Sequence, residues 1–295
     1  MSEGSLILCF GEVLWDIIDG QKIPGGAPMN VALHLNKLGR NVRFVSRTGY
    51  DQLGSDLEKF LTSSGFYDFL FQRDPHYSTG TAEVDTTDPN NPQYIFPESA
   101  WDHIECDAHL EENLDSSEVV IHGSLIARSD KSYKTLLRIL EDDRKYKVFD
   151  VNLRWPYYSR DLIEVLLEKA NLVKMNEDEL RILAGWFFRD DTEEGLLKAV
   201  SHRFKCEILV VTKGDGGASL LYHNKYYTHQ GFTVEVADTV GAGDAFLAGM
   251  LNSLLKGENP RYMLNFASAM AAYVVSKNGA NPDYTIEQIH AFINQ

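Results

Sequence analysis

The sequence predicts an α/β protein of three layers, with a mostly parallel central sheet between two layers of helices and a small β-hairpin outside this core. Short apolar runs alternate with helical patterns along most of the 295 residues, which is typical of βαβ units. One stretch, from Thr79 to Asp102, breaks this alternation. With 44% hydrophobic residues, the chain can fill one large core or two small ones.

The predicted strands are short apolar runs, and helical patterns of about ten residues fill most of the gaps between them. The strands are Leu6–Phe10, Val42–Ser46, Val119–His122, Val148–Val151, Leu172–Met175 and Ile208–Thr212. The helices are Met29–Leu38, Gly54–Ser64, Ser129–Asp143, Asp161–Ala170, Glu177–Ala184 and Thr192–Phe204. After a β-like run at Phe232–Val236, three further helices are predicted, over Ala242–Leu255, Pro260–Lys277 and Thr285–Asn294.

The irregular stretch holds two alternating runs, Thr79–Asp85 and Gln93–Pro97, on either side of a turn-forming segment at Asp88–Pro92. This pattern predicts a β-hairpin outside the βαβ core. Two interpretations remain open: a surface hairpin without a catalytic role, or a lid over a pocket at the strand ends.

Composition excludes several classes of partner. The net charge of −15 and the pI near 5.0 argue against a general nucleic-acid or anionic-membrane binder, because both partners are polyanions. The three cysteines are far apart in the sequence, so neither a CxxC pair nor a disulfide framework is predicted. No apolar run approaches the ~20 residues that span a bilayer. We therefore expect a soluble, cytoplasmic protein.

The segment Asp238–Phe246 is the stronger of two glycine-containing motifs, because it follows the β-like run and opens the helix predicted from Ala242. Small residues at a helix N-terminus let an anion such as phosphate approach the unpaired backbone N–H groups. Asp244 would repel that anion, so its position makes sense if it accepts a proton from a hydroxyl that attacks the phosphorus. The alternative is a carboxylate that only caps the helix.

The first motif along the chain runs from Gly25 to Ala32 and is followed at intervals by Gly39, Gly49, Asp51 and Gly54. Glycines before a helix again permit close approach of a ligand to the backbone. Within this motif the amide of Asn30 is a donor and an acceptor suited to hydroxyl groups.

The two motifs resemble, in the right order, the two signature patterns of the ribokinase-like (PfkB) carbohydrate kinases. Four intermediate segments are also similar to the family: Gly11–Asp16, Asp150–Arg154, Asn176–Glu179 and Val211–Gly217. Taken singly these are weak, since Asn176 and Glu179 also fit a helix capping box. The resemblance implies a single ribokinase-like kinase domain over 1–295, with a lid formed by about 12–24 and 78–104.

The resemblance also implies an ATP-dependent sugar kinase that uses Mg²⁺. Asp244 would be the catalytic base, and the backbone N–H groups of Gly241, Ala242 and Gly243 would stabilise the transferring phosphoryl group. The residues expected to bind the sugar are Asp16, Gly26, Asn30 and Arg154. Those expected near ATP are Asn176, Thr212, Lys213, Gly214, Gly217 and Ser268. Glu179 would hold Mg²⁺ through water, and Asp238 and Gly279 are candidates for a monovalent cation site.

The opening segment Gly11–Asp16 and the form of the first motif look most like fructokinases, so D-fructose, converted to fructose 6-phosphate, is the expected acceptor. Another ketose, a pentose or a keto-deoxy sugar acid stays open, as does a non-catalytic sugar- or nucleotide-binding relative. Ser268 stands where many relatives have Asn or His, which puts the adenine contact in doubt. Potassium activation and a homodimer formed through the lid are also left open.

Overall fold

The computed structural model describes residues 3–18, 20–85, 93–188 and 192–293. Its strands are β1 (Ile7–Phe10), β2 (Leu14–Ile18), β3 (Gln21–Gly25), β4 (Val42–Gly49), β5 (Phe69–Asp74), β6 (Gly80–Asp85), β7 (Gln93–Ile95), β8 (Val119–Gly123), β9 (Tyr146–Asp150), β10 (Leu172–Asn176), β11 (Ile208–Thr212), β12 (Ala218–Tyr222) and β13 (Lys225–His229). Its helices are α1 (Ala27–Lys37), α2 (Gln52–Ser63), α3 (Ala108–Asp115), α4 (Asp130–Leu140), α5 (Arg160–Lys169), α6 (Glu177–Phe187), α7 (Glu193–Phe204), α8 (Ala242–Leu255), α9 (Pro260–Val275) and α10 (Ile286–Ile293).

Within the described residues, nine strands form the central sheet, in the order β13-β12-β11-β10-β9-β8-β1-β4-β5. All neighbours from β11 to β5 are parallel, and only β12 and β13 add antiparallel strands at one edge. This confirms the prediction of a mostly parallel α/β sheet. All six predicted strands are present within three residues of the expected bounds.

Burial on both faces of the sheet produces the three layers. In β1, Leu8 and Phe10 pack in an apolar cluster with α3 to α7, whereas Ile7 and Cys9 pack in a second cluster with α1, α2, α8 and α9. Successive strand residues point to opposite faces, so a strand covered on both sides is apolar throughout. That is why continuous apolar runs, rather than alternating ones, identified the central strands.

The sequence interpretation missed β5, β12, β13 and α3, and its β-like run at Phe232–Val236 is wrong. That segment forms no strand. Val236 is 63% exposed, and the N–H groups of Ala237 and Asp238 bond instead to the carbonyl of Val275 at the end of α9. The alternating apolar residues there belong to a connection that has no neighbouring strand.

A small second sheet, β3-β2-β6-β7, lies outside the central one. β2 pairs antiparallel with β3 and parallel with β6, and β6 pairs antiparallel with β7. The predicted hairpin is this β6–β7 pair, while its turn segment at 88–92 lies outside the described residues. We refer to these four strands as the small sheet.

Two polar clusters fasten the small sheet to the core. Asp51 accepts hydrogen bonds from the N–H groups of Gly54 and Thr79, both at 2.8 Å, which ties the start of α2 to the residue before β6. A Cβ at Gly49 would lie 2.7 Å from both Asp51 Oδ2 and the Tyr77 carbonyl, so only glycine fits. Gly49, Asp51 and Gly54 of the first motif therefore act at the base of this sheet.

The second polar cluster is centred on Arg128, which contacts the segment that follows β7. Its guanidinium donates to the carbonyls of Phe96 and Pro97 at 2.8 Å, pairs with Asp102 at 2.6 Å and lies 4.1 Å from the centre of the Trp101 ring. Arg128 and Asp102 are nearly inaccessible to solvent. A buried, multiply bonded guanidinium of this kind fixes the geometry of the segment it contacts.

None of the helices within the described ranges combines the length and the apolar character needed to cross a membrane. The three cysteines, Cys9, Cys106 and Cys206, are free thiols, as the spacing predicted.

His122, on β8, generates a stability prediction. Its ring stacks on Phe149, and its Nε2 has no hydrogen-bond partner among the described residues. Burial lowers the pKa of His122 to about 4. The unfolded chain therefore binds a proton more readily, so stability is complete above the ordinary histidine pKa of ~6.5 and is lost as pH falls towards 4.

We predict that His122→Leu reduces the fall in the free energy of unfolding between pH 6.5 and 4, by about 1.4 kcal/mol per pH unit in that range. Urea unfolding at several pH values measures this slope. An unchanged slope in a folded variant would contradict the assignment of the slope to His122.

Candidate active site

A cleft of about 400 Å³ lies at the carboxyl edge of the central sheet. The parallel strands β1, β9, β10 and β11 end at this edge, where open α/β sheets bind ligands. The small sheet covers the other side of the cleft through Leu14 and Asp16. The lining comprises Glu12, Leu14, Asp16, Gly26, Ala27, Asn30, Phe96, Leu125, Asn152, Arg154, Lys174, Asn176, Thr212, Thr239, Val240, Gly241, Gly243 and Asp244.

Asp244 lies in the first turn of α8 at the centre of this lining, and it is only 9% exposed. Burial, and then the Asp150 carboxylate, raise the pKa of Asp244 to about 6, while Lys174, a hydrogen bond from Asn30 and Arg154 act in the opposite direction. A carboxylate with a pKa just below neutrality is well suited to accept a proton at physiological pH.

The turn before Asp244 contains two glycines that lie close to neighbouring residues. Gly241 has a φ of +78°, and a Cβ there would lie 2.5 Å from the Cβ of Ala280. A Cβ at Gly243 would lie 2.9 Å from Lys174 Nζ. Both glycines line the cleft, so an anion can reach the N-terminal N–H groups of α8, which have no partner within the helix.

Lys174 and Asp150 form a buried ion pair behind this turn, with Nζ 3.0 Å from each carboxylate oxygen. Burial alone would favour the neutral amine, but the carboxylates of Asp150, Glu179 and Asp244 outweigh it and raise the pKa of Lys174. The ammonium group therefore stays charged beside Gly243. It supplies positive charge to a site that is otherwise rich in carboxylates.

Asn30, predicted as a sugar ligand, makes two hydrogen bonds to protein side chains. Its Nδ2 donates to Asp244 Oδ2 at 2.8 Å, and its Oδ1 accepts from Asn281 Nδ2 at 2.7 Å. The same side chain lines the cleft. One amide hydrogen beyond the bond to Asp244 is available in the chemistry of the group, so contact with Asp244 and contact with a ligand are compatible.

At the small-sheet end of the cleft, Asp16 on β2 is half-buried. Burial raises the pKa of Asp16 to about 6, with Arg154 acting in the opposite direction. A Cβ at Gly25 would lie 2.2 Å from Asp16 Oδ2, and one at Gly26 would lie 2.4 Å from the carbonyl of Glu12. The two glycines of the first motif thus allow β3 and α1 to close around these carboxylates.

Glu12 is a site residue that the sequence interpretation did not select. It is 3% exposed, lines the cleft, and its Oε2 has no hydrogen-bond partner in the described part of the chain. Burial raises the pKa of Glu12 to about 7; Arg154 lowers it and Asp244 raises it. Glu12 lies two residues after the end of β1, and that position at a strand end was the available signal.

Asn176 and Glu179 form the capping box that the sequence left as an alternative. Asn176 Oδ1 accepts the Glu179 N–H at 2.8 Å, while the two oxygens of Glu179 accept the N–H groups of Asn176 and Leu153, also at 2.8 Å. Glu179 is buried, whereas Asn176 lines the cleft. The capping box therefore fixes the β10–α6 turn, and a magnesium role for Glu179 stays a prediction.

Of the residues expected near ATP, Thr212 and Asn176 line the cleft and the others do not. Lys213 Nζ donates to Ser219 Oγ at 2.7 Å. Gly217 has a φ of +80°, and a Cβ there would lie 2.1 Å from the His229 carbonyl. Gly214, with a φ of +56°, completes the turn, and Ser268 is buried in α9 with an unpartnered Oγ among the described atoms.

Asp238 and Gly279, the candidates for a monovalent cation site, are in direct contact. Asp238 accepts hydrogen bonds from the N–H groups of Val240 at 3.0 Å and Gly279 at 3.1 Å. Their contact joins the segment before α8 to the loop after α9.

Sequence reasoning also missed Lys174 and Asn281. A lysine inside the otherwise apolar strand Leu172–Met175 was a readable signal, because a charge is buried only when it is paired. Asn281 carried no signal, since it lies in a polar loop and meets Asn30 only through the tertiary fold.

The fold and the site together define a carbohydrate kinase. The chain belongs to the pfkB family of carbohydrate kinases, whose model matches residues 3–287. Membership confirms the resemblance drawn from the two motifs and the prediction of a phosphotransferase with an alcohol group as acceptor.

Three individual proteins are similar to this chain over most of their length. The chain is 30% identical to probable fructokinase-7 of Arabidopsis thaliana, over 94% of this chain and 89% of the relative. It is 29% identical to an ATP-dependent 6-phosphofructokinase of Thermoanaerobacterium thermosaccharolyticum, over 94% and 90%. A fructokinase double mutant from Vibrio cholerae O395, crystallised with fructose, ADP and potassium ion, superposes with a TM-score of 0.84 at 25% identity, over 99% of both chains.

The capping box yields a stability prediction. Glu179→Gln places an amide NH₂ opposite a backbone N–H, because both carboxylate oxygens accept from the main chain. We expect the free energy of unfolding to fall by about 1–3 kcal/mol, the cost of an unsatisfied buried group. Urea unfolding measures this.

The exposed Asp178 on the same helical turn is the matched control, and Asp178→Asn should cost far less. Equal effects of the two substitutions would show that the buried bonds of Glu179 contribute little.

Proposed function

We propose that this protein is an ATP-dependent sugar kinase that converts D-fructose to fructose 6-phosphate. The observation that carries the proposal is Asp244, a buried carboxyl with a pKa of about 6 directly after the Gly241–Gly243 turn. A proton acceptor beside an anion-binding helix terminus is the arrangement that transfer of a phosphoryl group to a hydroxyl requires.

In the proposed reaction, the primary hydroxyl of the sugar attacks the γ-phosphorus of ATP. A bond forms between that oxygen and phosphorus, the bond from phosphorus to the ADP oxygen breaks, and the hydroxyl proton passes to Asp244. The N–H groups of Gly241, Ala242 and Gly243 stabilise the charge on the phosphoryl oxygens. Lys174 adds a fixed positive charge next to Gly243.

The sugar is proposed to lie between α1 and the small sheet. In this proposal Asp16 and Glu12 accept hydrogen bonds from the sugar hydroxyls, and Asn30 donates one. Arg154 lies on the other side of the sugar. All four residues line the cleft. The N–H at Gly26 is a further proposed contact. The buried, unpartnered Oε2 of Glu12 is the kind of atom that a ligand hydroxyl satisfies.

ATP is proposed to extend from the Gly241–Gly243 turn past Asn176 and Thr212 towards the turn formed by Lys213, Gly214 and Gly217, with Ser268 near the base. Within the described residues no group of three His, Cys, Asp or Glu side chains could hold a metal. Mg²⁺ is therefore proposed to be carried by the nucleotide phosphates and water, near Asn176 and Glu179. The ion would neutralise charge on the phosphates.

The remaining proposals concern the surroundings of the site. Asp238 and Gly279 are proposed to support a potassium site, as the potassium form of the Vibrio cholerae fructokinase suggests. We propose one kinase domain over 1–295, with the small sheet acting as a lid that excludes water. A homodimer through this lid and a cytoplasmic location stay predictions.

The choice of fructose is supported by the relatives named fructokinase and by the carboxylates around the sugar position. The relative named 6-phosphofructokinase makes fructose 6-phosphate a second candidate acceptor. A phosphorylated sugar would meet Glu12, Asp16 and Asp244 in a cleft whose Lys174 is already paired with Asp150. The neutral sugar avoids that repulsion.

Asp244→Asn should lower kcat by roughly 10²–10⁴ while folding and ATP binding persist, because the amide cannot accept the proton. A coupled assay of ADP release measures kcat, and calorimetry measures ATP binding. Near-normal turnover by the folded variant would exclude Asp244 as the base. Wild-type ATP binding without turnover on any sugar would favour the non-catalytic alternative.

Asp16→Ala should raise the KM for fructose about tenfold or more and leave the KM for ATP nearly unchanged, since it removes a buried partner of the sugar alone. Asn30→Ala should raise the same KM and also lower kcat, because Asn30 contacts Asp244.

The wild-type enzyme, assayed on fructose, other ketoses, ribose, adenosine, a keto-deoxy sugar acid and fructose 6-phosphate, should give its highest kcat/KM with fructose. A higher value for another acceptor would replace fructose and leave the kinase assignment intact.

A further inference from the structure

We propose that Asn281 is a positioning residue for the proton acceptor, acting on Asp244 through the side chain of Asn30. The proposal rests on the proposed function in one respect, namely that Asp244 accepts the sugar proton. It gives a catalytic consequence to a residue of the C-terminal loop that does not line the cleft.

The direction of the hydrogen-bond chain is determined by the carboxylate at its end. An ionised Asp244 can only accept, so Asn30 must present its NH₂ group to Asp244 Oδ2 and its Oδ1 towards residue 281. Asn281 must then present its own NH₂ group, which it does at 2.7 Å. With Asn281 as donor, the amide of Asn30 is held in the orientation that stabilises the ionised form of Asp244.

Asn281 is itself held firmly by its backbone. Its carbonyl accepts from Lys37 Nζ at 2.9 Å. The preceding residue, Ala280, accepts from His34 Nε2 at 2.9 Å and packs against Gly241. Asn30 and His34 are one turn apart on α1, so two contacts join this helix to the same short loop. A side chain on such a loop can fix an orientation at little entropic cost.

Several charged groups face Asp244 in addition to the hydrogen-bond chain from Asn281 through Asn30. Asp150 on β9 and Lys174 on β10 face it from the sheet, Arg154 faces it from the segment after β9, and Glu12 faces it from the segment after β1. These groups are present in every variant discussed below. A change in titration on altering residue 281 therefore reports on the hydrogen-bond chain.

Asn281→Asp tests the chain because it replaces the donor with an acceptor of the same size. Asn30 must then turn its NH₂ group towards residue 281 and its carbonyl oxygen towards Asp244. Two oxygens facing each other disfavour the ionised carboxylate. We expect the acidic limb of the kcat/KM profile for the preferred sugar to move to higher pH by about one unit, with partial recovery of rate at alkaline pH.

Asn278→Asp is the matched control, since it makes the same chemical change at an exposed position of the same loop. Its profile should stay close to that of the wild type. Asn281→Ala, which removes the donor without adding a charge, should give a smaller shift than Asn281→Asp. A uniform loss of rate at all pH values in Asn281→Asp, or an equal shift in Asn278→Asp, would overturn the proposal.

A double-mutant cycle tests the hydrogen-bond chain through stability and needs no measurement of activity. In the variant that combines Asn281→Asp with Asp244→Asn, every hydrogen bond can run in the reverse direction: Asn30 donates to residue 281 and accepts from residue 244. We expect its melting temperature at pH 8 to exceed the value calculated by adding the two single effects. Additive effects would contradict the chain.

The two readouts also separate this inference from the proposed function. If the two substitutions are non-additive and the wild-type protein phosphorylates no sugar, the hydrogen-bond chain is supported and the kinase proposal is refuted. If the wild-type protein phosphorylates a sugar and the two substitutions are additive, the kinase proposal is supported and the hydrogen-bond chain is refuted.

Discussion

Burial of the Asp244 carboxyl is the constraint on which the rest of the site depends. A carboxylate this far from solvent needs partners, and the fold supplies them from separate elements: an amide from α1, an ammonium group from β10 and the N-terminus of its own helix. Each partner compensates part of the desolvation cost, and the balance leaves a pKa near 6. Removing any one of them changes the titration of the group as well as its position.

The parallel sheet explains how so many elements reach one carboxyl. Strands that run in one direction end at one edge, so the residues after β1, β9, β10 and β11 meet there whatever their separation in sequence. The glycines at Gly25, Gly26, Gly241 and Gly243 then let main chain and side chains approach to distances that a Cβ would forbid. The residues of the two motifs are therefore needed both for close packing and for the chemistry of the site.

The sequence predicted those parts of the molecule whose requirements are local. Continuous apolar runs predicted the central strands, and the glycine-bearing helix starts predicted Asp244 and Asn30. β13 was missed because this antiparallel edge strand lacks the fully buried pattern, whereas β12 is buried along most of its length and was passed over. Phe232–Val236 was misread because alternation alone does not supply a neighbouring strand. Asn281 could not be found, since its role arises from one contact across 251 positions of sequence. Glu12 and Lys174 were readable from their positions but were passed over.

The pairing of Lys174 with Asp150 also affects how charged molecules enter the cleft. Among the described residues that line the cleft, the carboxyl groups of Glu12, Asp16 and Asp244 outnumber the cations Lys174 and Arg154, and Lys174 is also paired with Asp150. The whole protein has a net charge of −15. The interior is thus short of positive charge, and a bare polyanion approaches it against an opposing potential. Dissolved salt screens this repulsion, so moderate ionic strength should speed the arrival of anionic ligands, the reverse of the salt effect at a basic binding surface.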